Sequence, residues 1–188
     1  MKKYILSALA GAVVAFVWSA FSHMALPWHN WDMKSFQSGG SMVAQTLKRE
    51  ALEPGLYFVP NIDPDMHRDE TKRNAWHAQA AAGPFAYMSV RPQGDPMQMG
   101  CAMFYQFLTQ LLVASLGVLL LRNCCLIRLV PRAGMVCLMV LAGALSAHLP
   151  YLIWWKFPVI TTLVNIVDTA ATWFLAGLAM AKTLKVKV

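Results

Sequence analysis

The sequence has few charged residues, and they are unevenly distributed. Of its 188 residues, 13% are charged and 57% are hydrophobic, whereas a soluble domain usually has about 25% charged and 45–50% apolar residues. The apolar residues collect in long runs without charge. This composition argues against an ordinary soluble globular domain.

Cysteine and catalytic motifs are also scarce. None of the four cysteines lies between His29 and Gly100, so no disulfide framework can hold that segment. The sequence has no Cys-x-x-Cys pair, no glycine-rich phosphate loop, no Gly-x-Ser-x-Gly, and no histidine pair at zinc-binding spacing beside a glutamate. It therefore indicates no catalytic residue and no cofactor, although an enzyme site assembled from scattered residues stays open.

Four apolar segments have roughly the 20 residues that a membrane-spanning helix needs. They are Tyr4–Leu26, Cys101–Leu121, Ala133–Pro150 and Phe157–Ala181. We therefore expect an all-α membrane protein, a four-transmembrane-helix bundle with a small α+β extracytoplasmic domain. Residues 1–26 form the first span, 27–100 the loop domain, and 101–188 the remaining spans with a cytoplasmic tail.

The distribution of charge predicts the orientation. Eight basic residues and no acidic residue flank the spans on one side: Lys2, Lys3, Arg122, Arg128, Arg132, Lys182, Lys185 and Lys187. Residues 27–100 contain seven basic and eight acidic residues. Basic flanking residues stay in the cytoplasm, so we expect both termini inside and the loop in the periplasm of a bacterial inner membrane. The net charge of +7 then indicates contact with anionic lipids rather than nucleic acid.

The loop contains signals for helices and strands in alternation. The sequence predicts a helix over Ser41–Leu52, a strand over Leu56–Val59, a helix from the N-cap Asp63 to about Ala82, and a strand over Phe85–Arg91. Two strands alone are marginally stable in water. We therefore expect this domain to rest on the membrane or on another chain.

Several segments resemble uncharacterised bacterial inner-membrane proteins. They are Leu-Pro-Trp-His at 26–29, Gly-Pro-Phe at 83–85 and Ser-Val-Arg-Pro at 89–92, and the Met-Lys-Lys start of the chain is similar to those of bacterial proteins. This resemblance implies the membrane location but no known activity. Claudin-type four-span proteins have a similar layout, but residues 27–100 lack their Trp…Gly-Leu-Trp…Cys…Cys signature.

Polar side chains recur inside the predicted spans, in the half nearer the outer surface. Thr161, Asn165, Asp168 and Thr172 share one face of the fourth span. The same half holds Gln106 and Gln110 of the second span, Ser19 and His23 of the first, and Ser146 and His148 of the third.

A charge in mid-membrane costs at least a few kcal/mol, so Asp168 must be protonated, hydrogen-bonded or hydrated. We expect Gln106, Gln110 and Asn165 as its partners. The cluster is either an outward-facing pocket for a proton, cation or small polar molecule, or a set of hydrogen bonds between helices or subunits.

Two further patterns concern packing and metals. Small residues predict helix-packing faces, with Ala8, Gly11, Ala12 and Ala15 in the first span and Gly143 and Ala147 in the third. Sulfur ligands select copper(I), so Met97, Met99, Cys101 and Met103 are weak candidates for a copper site. Methionine is also common packing material.

We therefore expect a non-enzymatic accessory, assembly or structural subunit of a larger membrane complex. Its expected partners are membrane lipids and either other membrane subunits or further copies of itself. Two alternatives stay open. One is a transporter or binding protein that uses the pocket around Asp168, and the other is copper handling on the periplasmic side.

Overall fold

The computed structural model describes residues 1–96 and 98–184, and these are mostly helical. Within them there are six α-helices: α1 Lys2–Ala25, α2 Ser41–Glu50, α3 Glu70–Ala82, α4 Met99–Arg122, α5 Leu129–Trp155 and α6 Val159–Thr183. There are also two strands, β1 Gly55–Val59 and β2 Ala86–Val90, and two 3₁₀ turns, Pro27–Asn30 and Pro64–His67. The chain divides into two compact units, Met1–Met33 with Met97–Val188, and Lys34–Pro96.

Helices α1, α4, α5 and α6 are long and apolar enough, by length and composition, to cross a membrane. The prediction of four long apolar helices is therefore confirmed. The third extends past its predicted end because Pro150 lies inside α5, as proline can in an apolar helix whose freed backbone groups find other partners. The helix ends at Trp155, and the C-cap residue Lys156 adopts the left-handed conformation with φ 57°.

The four long helices pack in the order α4, α1, α6, α5. Helix α1 contacts both α4 and α6, and α5 packs mainly against α6. The buried core lies where α1 begins and where α4 and α6 end: Ala8, Ala12, Ala15, Ala114, Val118, Leu121, Val136, Trp173, Ala176, Met180, Ala181 and Leu184. The opposite end of α4 is exposed along residues 99–106, so α4 packs closely only along its second half.

Glycine lets the helices of this core approach closely, for example at Gly177 and Gly11. A Cβ added at Gly177 of α6 would lie 2.9 Å from the carbonyl oxygen of Ala133 and 3.0 Å from its Cα, both backbone atoms of α5. A Cβ at Gly11 of α1 would lie 2.5 Å from the side chain of Met180. Contacts this close between helices require a small residue.

The predicted packing residues fall on two different kinds of surface. Ala8, Gly11, Ala12 and Ala15 are buried in α1. Gly143 and Ala147 are instead exposed on α5, and a Cβ at Gly143 would meet no atom of the described residues within 4 Å. Helix α5 buries Ala133, Val136 and Ala144 instead, because its neighbour α6 covers that face.

The second unit is built on an antiparallel hairpin. Strand β1 pairs with β2 so that Gly55 faces Val90 and Val59 faces Ala86. Helix α3 is fixed to the hairpin by Trp76, whose indole N–H donates to the carbonyl oxygen of Pro60 at 3.3 Å. The predicted order of helix, strand, helix and strand is therefore confirmed.

The second predicted helix of this unit is interrupted. Asp63 accepts a hydrogen bond from the backbone N–H of Asp65 and caps only the short turn Pro64–His67. Asp69 then accepts from the backbone N–H groups of Thr71 and Lys72 and caps α3. Because each aspartate satisfies free N–H groups at its own helix start, the segment forms two pieces rather than one.

The contact between α5 and α6 can be tested with two glycine substitutions. Gly177→Ala should lower the free energy of unfolding by about 1–3 kcal/mol, because its methyl group overpacks against the backbone of Ala133. The thermal unfolding midpoint of the protein in mild detergent measures this. Gly143→Ala is the matched control and should leave the midpoint near that of the wild type. Equal midpoints for the two variants would contradict the close contact.

Candidate functional site

Asp168 of α6 is the centre of a polar cluster, and its side chain is only 8% exposed. Trp18 of α1 donates its indole N–H to Oδ1 at 2.9 Å. The Nε2 atom of His29 lies 3.6 Å from Oδ2. Both carboxylate oxygens therefore face polar groups that come from other elements of the fold.

The turn after α1 brings His29 to this carboxylate. Leu26 adopts an extended conformation and Pro27 begins the 3₁₀ turn, because proline fixes φ and has no N–H to continue the helix. The turn folds back onto Ser22, whose hydroxyl lies 3.0 Å from Nε2 of His29 and accepts the indole N–H of Trp28 at 3.0 Å.

The two histidines of the cluster stack on each other. The rings of His23 and His29 lie nearly parallel, with centroids 3.9 Å apart. Burial lowers the pKa of His29, the charge of His23 lowers it further, and the charge of Asp168 opposes both. The lowered pKa favours the neutral ring of His29, in which one nitrogen is a donor and the other an acceptor.

A contact with Ser19 sets the orientation of His23. Its Nδ1 lies 3.0 Å from the backbone carbonyl oxygen of Ser19. A carbonyl oxygen can only accept, so Nδ1 carries the proton and donates. The hydroxyl of Ser19 accepts from the amide Nε2 of Gln110 at 3.4 Å, which connects α4 to the same region of α1.

The first turn of α6 has a partner of its own. The backbone N–H of Thr161 donates to Oδ2 of Asp32 at 3.3 Å. A carboxylate near a helix N-terminus accepts from free N–H groups and interacts favourably with the helix dipole. Asp32 and the turn before it are thus held against α6.

The structure brings together part of the predicted polar set. Thr172 donates its hydroxyl to the backbone carbonyl of Asp168 at 2.7 Å, and Ser19, His23 and Gln110 join as described above. The others lie apart: Gln106 and Ser146 are exposed, while Asn165 and His148 are half-buried and have no side-chain hydrogen bond within the described residues.

The partners of Asp168 differ from those expected. In the described part of the chain, it makes no hydrogen bond to Gln106, Gln110 or Asn165. The two glutamines lie apart from it because α4 packs mainly against α1 rather than against α6. Its partners are Trp18 and His29. One signal could have indicated Trp18, since an indole N–H inside an apolar span needs an acceptor.

A groove of about 440 Å³ lies between α1 and the first half of α4. It is lined by Phe16, Ser19, Ala20, His23, Met24, Met99, Ala102, Met103 and Gln106. Of the predicted sulfur ligands, Met99 and Met103 therefore face the groove. The thiol of Cys101 instead contacts Oε1 of Gln98 at 3.4 Å, and Met97 lies outside the described residues.

Comparison of the chain with protein-family models, with curated proteins and with solved structures found no match.

The bond between Trp18 and Asp168 can be tested by two tryptophan substitutions. Trp18→Phe leaves a buried carboxyl oxygen without its donor, which should cost about 1–3 kcal/mol and lower the thermal midpoint. Trp154→Phe removes an indole that is 71% exposed and is the matched control.

Asp168→Asn completes this test, because asparagine keeps an oxygen that can accept from Trp18. We expect this variant to insert and fold, with a smaller loss of stability than Trp18→Phe. Equal thermal midpoints for Trp18→Phe and Trp154→Phe would show that the hydrogen bond does not hold α1 to α6.

Proposed function

We propose that this protein is a multi-pass membrane protein of the bacterial inner membrane, with both termini in the cytoplasm and residues 27–100 in the periplasm. The four long apolar helices support the membrane location. The orientation is supported by the eight basic residues that flank these helices on one side, where acidic residues are missing.

The orientation can be tested with alkaline phosphatase, which is active only after export. A fusion after Gly94, in the loop, should be active, and a fusion after Val188 should be inactive. A fluorescent protein at the same two positions should give the opposite pattern. Activity at both positions, or only after Val188, would contradict the orientation.

We further propose that the protein is a non-enzymatic accessory or assembly subunit that binds another membrane protein through the first half of α4. One observation carries this proposal. Every residue of the segment Met99–Gln106 is exposed within the described chain, and one face of the segment lines the groove against α1. The segment carries Gln106, whose side chain has no hydrogen-bond partner among the described residues.

An amide without a partner is costly in an apolar environment, and glutamine side chains hydrogen-bond across transmembrane helices. A helix of another subunit that lies in the groove between α1 and α4 would supply that partner. It would also cover the apolar lining beside it, which includes Phe16 and Met103.

Helix α5 offers a second exposed surface that another membrane helix could cover. It buries fewer residues than α1 or α6, and Gly143 and Ala147 lie on its exposed side. Small residues allow close approach of another helix. A protein with two such surfaces could connect two neighbours in a complex.

The groove can be tested by photo-crosslinking in intact membranes. A photoreactive residue at Met103 should form an adduct with one defined membrane protein or with a second copy of the chain. Leu112 is the matched control, because it is exposed on the opposite face of α4. Gln106→Leu should reduce the Met103 adduct several-fold.

Native mass spectrometry of the protein extracted from its membrane gives the composition of the complex that the crosslink detects. A mass above 20.9 kDa that is lost with Gln106→Leu supports the subunit role. Monomer alone, together with equal crosslinking at Met103 and Leu112, would overturn it.

Both alternatives from the sequence stay predictions. A transporter or binding protein would use Asp168, which has protein partners on both oxygens. Copper handling would use Met99 and Met103, which share the groove with Met24 and His23.

A further inference from the structure

Three metal-ligating side chains meet at the end of α1. They are His23 of α1, His29 of the 3₁₀ turn and Asp168 of α6, and one ligand atom of each lies within 4.8 Å of the other two. We propose that this cluster binds a divalent transition-metal ion of the zinc class. The inference goes beyond the subunit role and does not depend on it.

The chemistry of the three ligands selects this class of ion. Imidazole suits zinc, iron, nickel and copper, whereas magnesium and calcium prefer sites built from oxygen ligands. Two imidazoles and one carboxylate leave a coordination position free for water or another ligand, as in catalytic zinc sites.

The distances are close to those that a bound ion requires. Zinc bonds to nitrogen and oxygen at roughly 2.0–2.2 Å in tetrahedral geometry, so two ligand atoms of one ion lie about 3.4 Å apart. His29 Nε2 and Asp168 Oδ2 are already 3.6 Å apart. The remaining separations, up to 4.8 Å, require a contraction of at most about 1.4 Å, which rotation of the histidine side chains can supply.

The hydrogen bonds of His23 and Asp168 leave one ligand atom of each free. Nδ1 of His23 donates to the carbonyl oxygen of Ser19, so Nε2 is the ring nitrogen that remains for an ion. Oδ1 of Asp168 accepts from Trp18, which leaves Oδ2 for an ion. Partners of this kind orient the ligands in metal sites and fix the histidine tautomer.

Access and exchange are also compatible with a bound ion. His23 is exposed, so an ion can reach the cluster from outside the chain. Binding would replace the contact between Nε2 of His29 and the hydroxyl of Ser22. That hydroxyl keeps the indole N–H of Trp28 as a partner, so no buried polar group is left unpaired.

Calorimetric titration of Zn²⁺ into the full-length protein, stripped of metal and purified in mild detergent, tests the site. We expect one ion per chain. His29→Ala and Asp168→Asn should each weaken binding by at least about tenfold, since loss of an outer-shell partner alone costs 10–100-fold. Mg²⁺ in excess should not compete.

Matched controls distinguish this site from adventitious binding by surface histidines. His67→Ala and His77→Ala remove exposed histidines of the other unit and should leave the affinity unchanged. His23→Gln keeps the test valid if the other two variants fail to fold, because His23 is exposed and should also weaken binding. Co²⁺ should give the intense visible absorption of a tetrahedral site in the wild type and in the two control variants, but not in His29→Ala, Asp168→Asn or His23→Gln.

Three results would overturn the proposal. These are no Zn²⁺ bound to the folded wild type, binding that is unchanged in folded His29→Ala, Asp168→Asn and His23→Gln, or an equal loss of affinity in His67→Ala.

Discussion

The arrangement of the helical unit depends on a single carboxylate placed inside an apolar helix. A buried acidic group without hydrogen-bond partners is costly. Asp168 has polar partners from two separate elements of the fold. Trp18 supplies a donor from α1, and His29 reaches the second oxygen from the turn that follows α1. The partners of one side chain therefore fix the position of α1 against α6 and require the chain to reverse direction at Pro27.

The other end of the same helices is held together by a different kind of interaction. There Gly177 packs closely against the backbone of Ala133 and Gly11 against Met180. Buried hydrogen bonds from Ser7 to the carbonyl oxygen of Met180 and from Arg132 to that of Ala181 add to this close packing. Close packing tolerates little change in volume, whereas a hydrogen-bonded cluster with an exposed histidine can exchange partners. A fold that packs α4 tightly at one end and leaves it exposed at the other can thus be stable and still present a binding surface.

Local patterns in the sequence predict most of the elements but few of the contacts. Apolar runs identify the four long helices, and turn residues identify the hairpin, because each depends on neighbours in the chain. The partners of Asp168 could not be predicted in this way. The glutamines of α4 share a face and lie at a suitable depth, but their distance from Asp168 depends on the order in which the helices pack. The role of His29 depends on the path of the turn, which hydropathy does not describe.

The hydrogen bonds around Asp168 also help to explain how this cluster could hold a metal ion. Each ligand of the proposed site has a hydrogen-bond partner without the ion: Trp18 for Asp168, Ser22 for His29 and the Ser19 carbonyl for His23. The cluster therefore needs no ion in order to fold, and an ion would replace only the Ser22 contact. Because hydrogen bonds hold the ligands close to one another in advance, less conformational entropy remains to be lost when the histidines rotate to bind the ion. The same hydrogen bonds that make a buried carboxylate tolerable thus organise the atoms that would hold the metal.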